Sequence, residues 1–271
     1  MTETKRAGTS WWGDYDLDDG ATAAWQVGPF RFWLARSPRE WRFACRRGDD
    51  PLDDTLRIEV PAADDIPEDA ADNRRIGFRH TQPRVKLSPR LADRPVVVNP
   101  VMPFLLPPGE ELVLYISTAL WLRIEMGEPL REFLDTPLFR PSDTWFGPNT
   151  REGELCYAQK TSARLQLENL LVRPHRVLSA VQVRNRTDAN LAVEKIKLPL
   201  PNMSIFGSPD GALWTEVVTF QRREAGEHAI LELSKKPPSH VKEARRLSGP
   251  REEPTRGLLM RAFGGLLGGG A

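Results

Sequence analysis

Apolar and polar residues alternate with a period of two through most of the apolar segments of this chain. The segment EWRFACRR (40–47) places Trp41, Phe43 and Cys45 on one side and arginine or alanine on the other, a pattern typical of a half-buried strand. The segment AAWQVGPFRFWLAR predicts two strands that are separated at Gly28. Similar segments, bounded by Pro, Gly and Asn, predict further strands in both halves of the chain.

Helical patterns are few. In EPLREFLD (128–135), Leu130, Phe133 and Leu134 share one face, which predicts a helix of two turns. The 24 prolines disfavour longer helices. Short strands with turn signals at intervals of about 8–12 residues therefore predict an all-β, mainly antiparallel fold of the β-sandwich type, with two packed β domains.

The predicted strands fall into two clusters that are separated by the polar stretch GPNTREGE. We therefore predict an N-terminal β domain, residues 9–147, and a C-terminal β-sandwich domain, residues 148–236, with one extended sandwich as the alternative. Inside the second domain, SAVQVRNRTDANLAVEKIKL predicts one hairpin, and a turn at 224–227 predicts another. Residues 237–271 contain prolines and many charges, and they predict a flexible tail.

Charge is balanced over the whole chain but not along it. The 38 basic and 37 acidic residues give no indication of a nucleic-acid partner. Residues 49–72 contain ten acidic residues and one basic residue, whereas residues 235–261 contain eight basic and three acidic residues. The first segment is expected to be a solvated acidic insert and the second a basic tail, with a functional patch as the alternative for each.

Cysteine usage and hydropathy indicate the compartment. Cys45 and Cys156 are far apart and show no metal-ligand spacing. The N-terminal MTETKRAGTS has no apolar core like that of a signal peptide, and no segment approaches the roughly 20 apolar residues that span a bilayer. We therefore expect a reduced, cytoplasmic protein, at most peripheral to the inner membrane, with neither a metal nor another cofactor.

The run WWGDYDLDDG raises the question of a calcium loop, because Asp14, Asp16 and Asp18 alternate in it. A helix–loop–helix calcium site needs glycine at loop position 6 and glutamate at position 12. Counted from Asp14, those positions hold Asp19 and Trp25. The run is therefore predicted to be a turn, in which aspartate side chains bond to nearby backbone N–H groups.

No catalytic residue is predicted. The four histidines lie on different predicted elements, and the chain has no phosphate-binding loop, dinucleotide fingerprint or nucleophile elbow. A binding function is therefore favoured over an enzymatic one. The alternative is an enzyme, or a binder of small molecules or carbohydrates, with its site in a cleft between the two domains. For such a site, the tryptophans able to stack on a sugar ring are Trp11, Trp12 and Trp145.

The end of the tail carries the candidate docking segment, residues 258–267. Its apolar residues recur at helical spacing after a basic linker, which is the layout of a short peptide that docks in a groove of a protein or at a membrane interface. These residues are Leu258, Leu259, Ala262, Phe263, Leu266 and Leu267. If they serve a partner, deletion of everything after Pro237 should leave folding unchanged.

The order of the segments resembles that of a known family. PVVVNPVMPFLLPPGEELVLYISTALWLRIEM is followed by TWFGPNTREGELCYAQKTSARL and then by SAVQVRNRTDANLAVEKIKLPLPNMSIF. This order, over roughly residues 11–236, resembles an uncharacterised archaeal and bacterial family known only as a domain of unknown function. The family is sometimes encoded beside small-conductance mechanosensitive channels, so the resemblance implies an accessory module near such a membrane protein. It has no catalytic motif, and no site residue carries over.

Overall fold

The computed structural model describes residues 10–147, 151–161, 164–166, 170–223, 228–253 and 258–263. In chain order, the strands are β1 (Gly13–Asp16), β2 (Thr22–Val27), β3 (Phe30–Ser37), β4 (Glu40–Arg47), β5 (Leu56–Glu59), β6 (Ala71–Gly77), β7 (Arg84–Arg90), β8 (Val96–Pro100), β9 (Phe104–Leu106), β10 (Glu111–Ala119), β11 (Trp121–Met126) and β12 (Arg131–Pro137). They continue with β13 (Ser142–Phe146), β14 (Glu154–Thr161), β15 (Arg176–Asn185), β16 (Leu191–Val193), β17 (Ile196–Leu198), β18 (Ile205–Gly207), β19 (Leu213–Thr215), β20 (Val218–Arg222), β21 (His228–Leu233), β22 (Arg245–Ser248) and β23 (Leu258–Arg261).

The predicted all-β fold is confirmed. The described ranges contain no α-helix, only a short 3-10 helix at Leu200–Asn202, and no helix in them is long and apolar enough to cross a bilayer. Most strand pairs are antiparallel; β8 with β14, and β15 with β19 and β20, are parallel. The predicted strands on either side of Gly28 are confirmed as β2 and β3. Gly28 has a positive φ of 57°, and a Cβ there would overlap the ring of His175.

The chain divides into two compact units. The described residues of the first unit lie within Met1–Arg90, Leu120–Phe139 and Arg173–His175. This unit contains a five-stranded sheet of order β5-β2-β3-β4-β6 and a four-stranded sheet of order β1-β7-β11-β12. The two sheets meet through edge-to-face ring pairs, Tyr15 with Trp25 at 5.3 Å and Phe43 with Phe133 at 6.3 Å. The first unit is therefore a sandwich around an aromatic core.

The described residues of the second unit lie within Leu91–Ala119, Arg140–Val172 and Arg176–Ala271. Its largest sheet has eight strands in the order β22-β18-β19-β15-β20-β21-β23, with β10 also paired to β15. A four-stranded sheet of order β13-β14-β8-β17 and a two-stranded sheet of β16 and β9 complete the unit. Strand β10 pairs along one edge of β15, so β19 and β20 share the other edge of β15.

The boundaries of these units differ from those of the predicted domains. Strand β10 pairs with β15 over nine residue pairs, which places Leu91–Ala119 with the C-terminal sheets although it precedes the predicted boundary. The stretch GPNTREGE, expected to separate domains, instead connects β13 to β14, which pair as neighbouring antiparallel strands. A polar, glycine-containing stretch indicates a turn, but it does not distinguish a hairpin loop from a linker between domains.

Two local predictions are wrong and one is confirmed. In place of the predicted helix at 128–135, a turn leads into strand β12, which pairs with β11 and buries Leu134 and Thr136 at alternate positions. The first predicted hairpin does not form, because β16 pairs with β9 and β17 with β8. The second hairpin is confirmed by the antiparallel pairing of β20 and β21; its predicted turn at 224–227 lies outside the described residues.

The two charged segments also contain strands. The acidic insert, residues 49–72, contains β5 and the start of β6, which are paired to β2 and β4. The predicted tail contains β22, paired to β18, and β23, paired to β21. The described part of residues 237–271 thus differs from the expected flexible tail, since backbone pairing is open to polar sequences that carry little apolar signal.

Candidate functional site

The structure places the described part of the candidate docking segment within the second unit. Leu258 and Leu259 lie in strand β23 rather than in a helix. Ala262 and Phe263 are buried, and the Phe263 ring lies 5.9 Å from that of Phe220. In this arrangement, Ala262 and Phe263 contact the core of their own chain and are not exposed to a partner. Leu266 and Leu267 lie outside the described residues.

The three candidate stacking tryptophans do not form one site. Trp11 is buried in the first unit, where its Nε1 donates to the carbonyl oxygen of Pro174 at 2.8 Å. Trp12 is half-buried and lies edge-to-face against Trp11. Trp145 belongs to the second unit; it is exposed on β13, opposite the exposed Leu155 of β14. Of the three, Trp145 has the exposed ring that stacking requires.

The aspartate run at the N-terminus is partly a strand and partly a turn. Asp14 and Asp16 lie in β1, and the Asp14 carboxylate accepts from the guanidinium of Arg84 at 3.0 Å. The predicted turn follows, closed by a hydrogen bond from Ala21 N to Asp18 O at 3.1 Å. In the ranges that the structure describes, no group of three or more His, Cys, Asp or Glu side chains is placed to hold a metal ion.

A cleft of about 500 Å³ lies within the second unit. It is formed by three segments of the chain that are distant in sequence, near residues 170–178, 208–214 and 240–243. Its lining is mostly apolar, with polar and charged residues among them: Leu170, Val172, Leu178, Ser208, Pro209, Asp210, Ala212, Trp214, His240, Val241, Lys242 and Glu243. No sequence motif marks this site, because each segment contributes only a few ordinary residues.

Trp214 forms the aromatic part of the cleft lining. It lies in β19, next to Leu178 of β15, and is almost fully buried. His240 lies edge-to-face on the indole of Trp214 with ring centroids 5.0 Å apart, and Tyr115 contacts both rings from behind, at 5.9 and 6.4 Å. The exposed imidazole of His240 and the buried indole therefore form one continuous aromatic surface.

The polar residues of the cleft belong to two turns. In the first, GSPDG, Gly211 N donates to Ser208 O at 3.0 Å, and the Asp210 carboxylate accepts from Ala212 N at 3.1 Å. Asp210 and the backbone of Ser208 therefore close a tight turn. In the second, Glu243 has a φ of +54°, a region that residues other than glycine rarely adopt and that often marks functional segments.

Burial perturbs the pKa values of two cysteines and one glutamate in the interior of the protein. Burial raises the pKa of the Cys156 thiol to about 12 and also raises that of Cys45, so neither is an activated nucleophile. Burial likewise raises the pKa of Glu216, whose carboxylate accepts from Ser204 N at 2.7 Å. The residues that line the cleft provide apolar contact and exposed charge.

Comparison with known proteins gives one match. A family model with the description "Protein of unknown function (DUF432)" matches residues 11–267. No curated protein and no solved structure matches the chain. The match bears out the expectation of a domain-of-unknown-function family, and it extends past residue 236 into the segment that contains β22 and β23.

Proposed function

Because the chain belongs to the family "Protein of unknown function (DUF432)", whose description assigns no activity, we propose a function from the chain's own surface. The protein is a non-catalytic binding module that holds a small amphipathic ligand in the cleft of its second unit. The observation that carries this proposal is the cleft itself. Its volume of about 500 Å³ falls in the range of roughly 300–1,000 Å³ typical of small-molecule sites.

The lining supports a ligand with an apolar body and a polar end. Leu170, Leu178 and Val241 pack around Trp214 and offer apolar surface, on which burial contributes about 25 cal/mol per Å². The charges stand at solvent-exposed positions and have both signs: Asp210, Lys242 and Glu243. A ligand can therefore bury its apolar part and keep its polar end near water, without an unpaired charge in the interior.

A pair of neighbouring residues gives a direct test. Val172 lines the cleft and Leu171 does not, yet their exposures are similar, 53 % and 56 %. Val172→Trp should fill the mouth of the cleft without disturbing the core, and Leu171→Trp should leave the cleft open. We expect amphipathic aromatic and alkyl fragments to give ligand-observed NMR signals with the wild-type protein and with Leu171→Trp, but not with Val172→Trp.

Two results would contradict this proposal. One is the absence of binding by every fragment to the wild-type protein at millimolar concentration. The other is binding that persists unchanged in Val172→Trp, which would place the fragments elsewhere on the surface. Matching circular dichroism spectra of the two variants serve as the folding control.

A second candidate function is that of an accessory module docked, at the inner membrane, on a membrane protein such as a small-conductance mechanosensitive channel. It is favoured by an apolar surface formed by Val101, Met102 and Leu105, which are 72 %, 79 % and 64 % exposed. The segment that carries them is anchored at its C-terminal end, because the buried Asn185 side chain donates to Leu106 O at 2.9 Å and to Pro107 O at 3.1 Å. An anchored apolar segment loses less conformational entropy on docking than a free one.

This candidate is tested with a purified channel of that class in nanodiscs and the full-length chain. Met102→Ser should weaken binding several-fold. Leu52→Ser, at a comparably exposed position of the first unit, should not. Absence of binding by the wild-type protein, or equal weakening by both variants, would eliminate the channel as partner of this surface.

A further inference from the structure

The outer face of the five-stranded sheet in the first unit carries a set of arginines that the strand registers align. One row across the sheet consists of Arg57, Gln26, Arg31 and Arg46, on β5, β2, β3 and β4. The next row contains Glu59, Ala24, Trp33 and Ala44, and the third contains Thr22, Ala35, Arg42 and Arg75. We call the five cations the arginine face: Arg31, Arg42, Arg46, Arg57 and Arg75.

Three of the five arginines have a carboxylate partner. These pairs are Arg46 with Asp69, Arg57 with Glu59, and Arg75 with Glu40. Within the part of the chain that the structure describes, Arg31 and Arg42 form no ion pair. Among the described residues, Arg31 therefore lies opposite Arg46 with no carboxylate of its own at ion-pairing distance.

Arg31 and Arg46 are held together at the centre of this face. They lie directly opposite each other on neighbouring strands, where like charges repel. Both guanidinium groups lie over the ring of Trp33, at 4.9 and 5.8 Å from its centroid. The indole attracts each cation through its π face, which offsets part of the repulsion between them. Two guanidinium groups that share one aromatic ring can each offer N–H donors to the oxygens of one phosphate group.

An acidic segment crosses this face. The crossing segment, residues 60–70, connects β5 to β6 at opposite edges of the sheet, a span of about 19 Å at 4.8 Å per strand. It begins at the edge of β2, where Ala62 N donates to the backbone Thr22 O at 2.7 Å, and it contacts the face where Thr22 Oγ1 donates to the Asp65 carboxylate at 3.4 Å. It contacts the face again on β4, where Asp69 pairs with Arg46.

The contact between Asp69 and Arg46 is easily displaced. Their side chains are 75 % and 44 % exposed, and exposed ion pairs are weak because water and salt screen them. A phosphate carries more negative charge than one carboxylate and offers more acceptor oxygens, so it can bridge both arginines, whereas Asp69 pairs with one of them.

We propose that Arg31 and Arg46 form a binding site for a phosphate-type oxyanion, and that Asp69 of the crossing segment competes with this ligand for Arg46. The site lies in the first unit and is independent of the cleft in the second unit. The ligand is either a free phosphate compound or the headgroup of an anionic lipid, which present the same chemistry.

The test is calorimetric titration of inorganic pyrophosphate into the full-length chain at low ionic strength. Arg31→Gln should weaken binding about tenfold, by analogy with the loss of one charge-assisted bidentate contact. Arg31→Lys keeps the positive charge but removes the bidentate guanidinium group, so it should weaken binding less than Arg31→Gln does. Asp69→Asn should strengthen binding several-fold, because it removes the competitor at an exposed position where folding is not at risk. The matched control is Arg74→Gln on β6, whose partner Asp72 is on the same strand; it should bind like the wild type.

The two sources of phosphate are separated by a vesicle assay. Vesicles of phosphatidylglycerol and of phosphatidylcholine are sedimented with the wild-type chain and with Arg31→Gln. Arg31-dependent sedimentation with phosphatidylglycerol alone identifies a lipid headgroup, and pyrophosphate binding without sedimentation identifies a free phosphate compound. The proposal is overturned if Arg31→Gln binds pyrophosphate like the wild type, or if Asp69→Asn binds no more tightly.

Discussion

The acidic insert in the first unit and the C-terminal segment in the second unit extend the largest sheet of their units in the same way. Strand β5 lies inside the insert and β6 begins at its end, and the two form the edges of the five-stranded sheet. Strands β22 and β23 stand at the two ends of the strand order in the eight-stranded sheet. Each charged segment therefore contributes to both outer strands of a sheet.

The two segments differ in what their side chains do. The strands of the insert keep most of their side chains exposed, and they are held by backbone pairing and by ion pairs such as Arg75 with Glu40. The C-terminal segment places Ala262 and Phe263 in the interior, where Lys197 N donates to Ala262 O at 2.9 Å. One segment completes a sheet with charge, and the other completes a core with an aromatic ring.

Edge strands with exposed charge and edge segments with a buried ring stabilise a sheet differently. Charged edge strands discourage pairing with another chain but contribute little apolar burial. A buried ring contributes stability in proportion to the apolar surface it removes from water. We therefore expect the C-terminal segment to matter far more for folding than the insert.

The largest effect is expected from truncation after Pro237. The truncated chain loses β22, β23 and the buried Phe263, and it exposes the edges of β18 and β21. We expect the melting temperature to fall by about 10 °C or more in differential scanning calorimetry, or the chain to aggregate. An unchanged melting temperature would support the sequence-based expectation that this segment is dispensable for folding.

Phe263→Ala should give the next largest effect. Loss of a buried phenylalanine costs about 3–5 kcal/mol, because the transfer free energy is lost and a cavity remains beside Phe220. The control is Leu56→Ala in β5 of the insert, where the side chain is exposed and the expected loss is below about 1 kcal/mol. Urea denaturation measures both, and equal losses would remove the distinction between the two segments.

Glu216→Gln should change the pH dependence of stability. Burial raises the pKa of Glu216 in the folded state, while Ser204 and, more weakly, Arg246 of β22 oppose the shift. The folded state therefore binds this proton more tightly than the unfolded chain does. The contribution is favourable at low pH and is lost as pH rises through the raised pKa, above the ordinary range of about 4–5. The variant should gain stability relative to the wild type from about pH 5 upward.

Glu40→Gln, in the first unit, is the control, because the pKa of Glu40 is shifted in the opposite direction. The hydrogen bond from Arg75 lowers the pKa of Glu40 in the folded state. Its contribution is present above the ordinary glutamate pKa and is lost as pH falls through the lowered value. Denaturation from pH 3 to 8 should show both variants close to the wild type at low pH and diverging from it in opposite directions towards neutral pH, Glu216→Gln to higher and Glu40→Gln to lower stability. Parallel profiles for all three proteins would contradict this prediction.

The smallest effect is expected from Asp69→Asn. Its ion pair with Arg46 is largely exposed, so the loss should not exceed about 1 kcal/mol and should shrink further in high salt. Urea denaturation at low and at 0.5 M salt measures it. A loss of several kcal/mol would mean that the crossing segment is a structural strap whose ion pair is not open to competition by a phosphate.

Local patterns in the sequence were sufficient for the fold class and for the strands in most of the apolar segments. Trp41, Phe43 and Cys45 share one face of β4, as the alternation predicts. This holds because successive side chains of a strand point to opposite faces, whichever strands become its neighbours. The turn at GSPDG was predictable for a similar reason, since it depends on residues within hydrogen-bonding reach of one another.

The candidate cleft could not be predicted in this way. Trp214 and His240 are 26 positions apart and are brought together by strand pairing and by a turn, with no shared motif. The helix expected at 128–135 failed for a related reason: the pairing of β12 with β11 overrode a short helical pattern.

By itself, the sequence determined most strands of the apolar segments, the all-β fold class, and where charge concentrates. Only the tertiary structure decided which strands become neighbours, for example β10 with β15 and β22 with β18. It also decided that Phe263 bridges to Ile196. Strand formation follows from the repeat of side chains along one segment, whereas pairing depends on backbone hydrogen bonds that nearly every sequence can offer. Burial of a few side chains such as Phe263 then favours one strand pairing over the others. Which pairing is favoured depends on contacts throughout the fold, not on one segment.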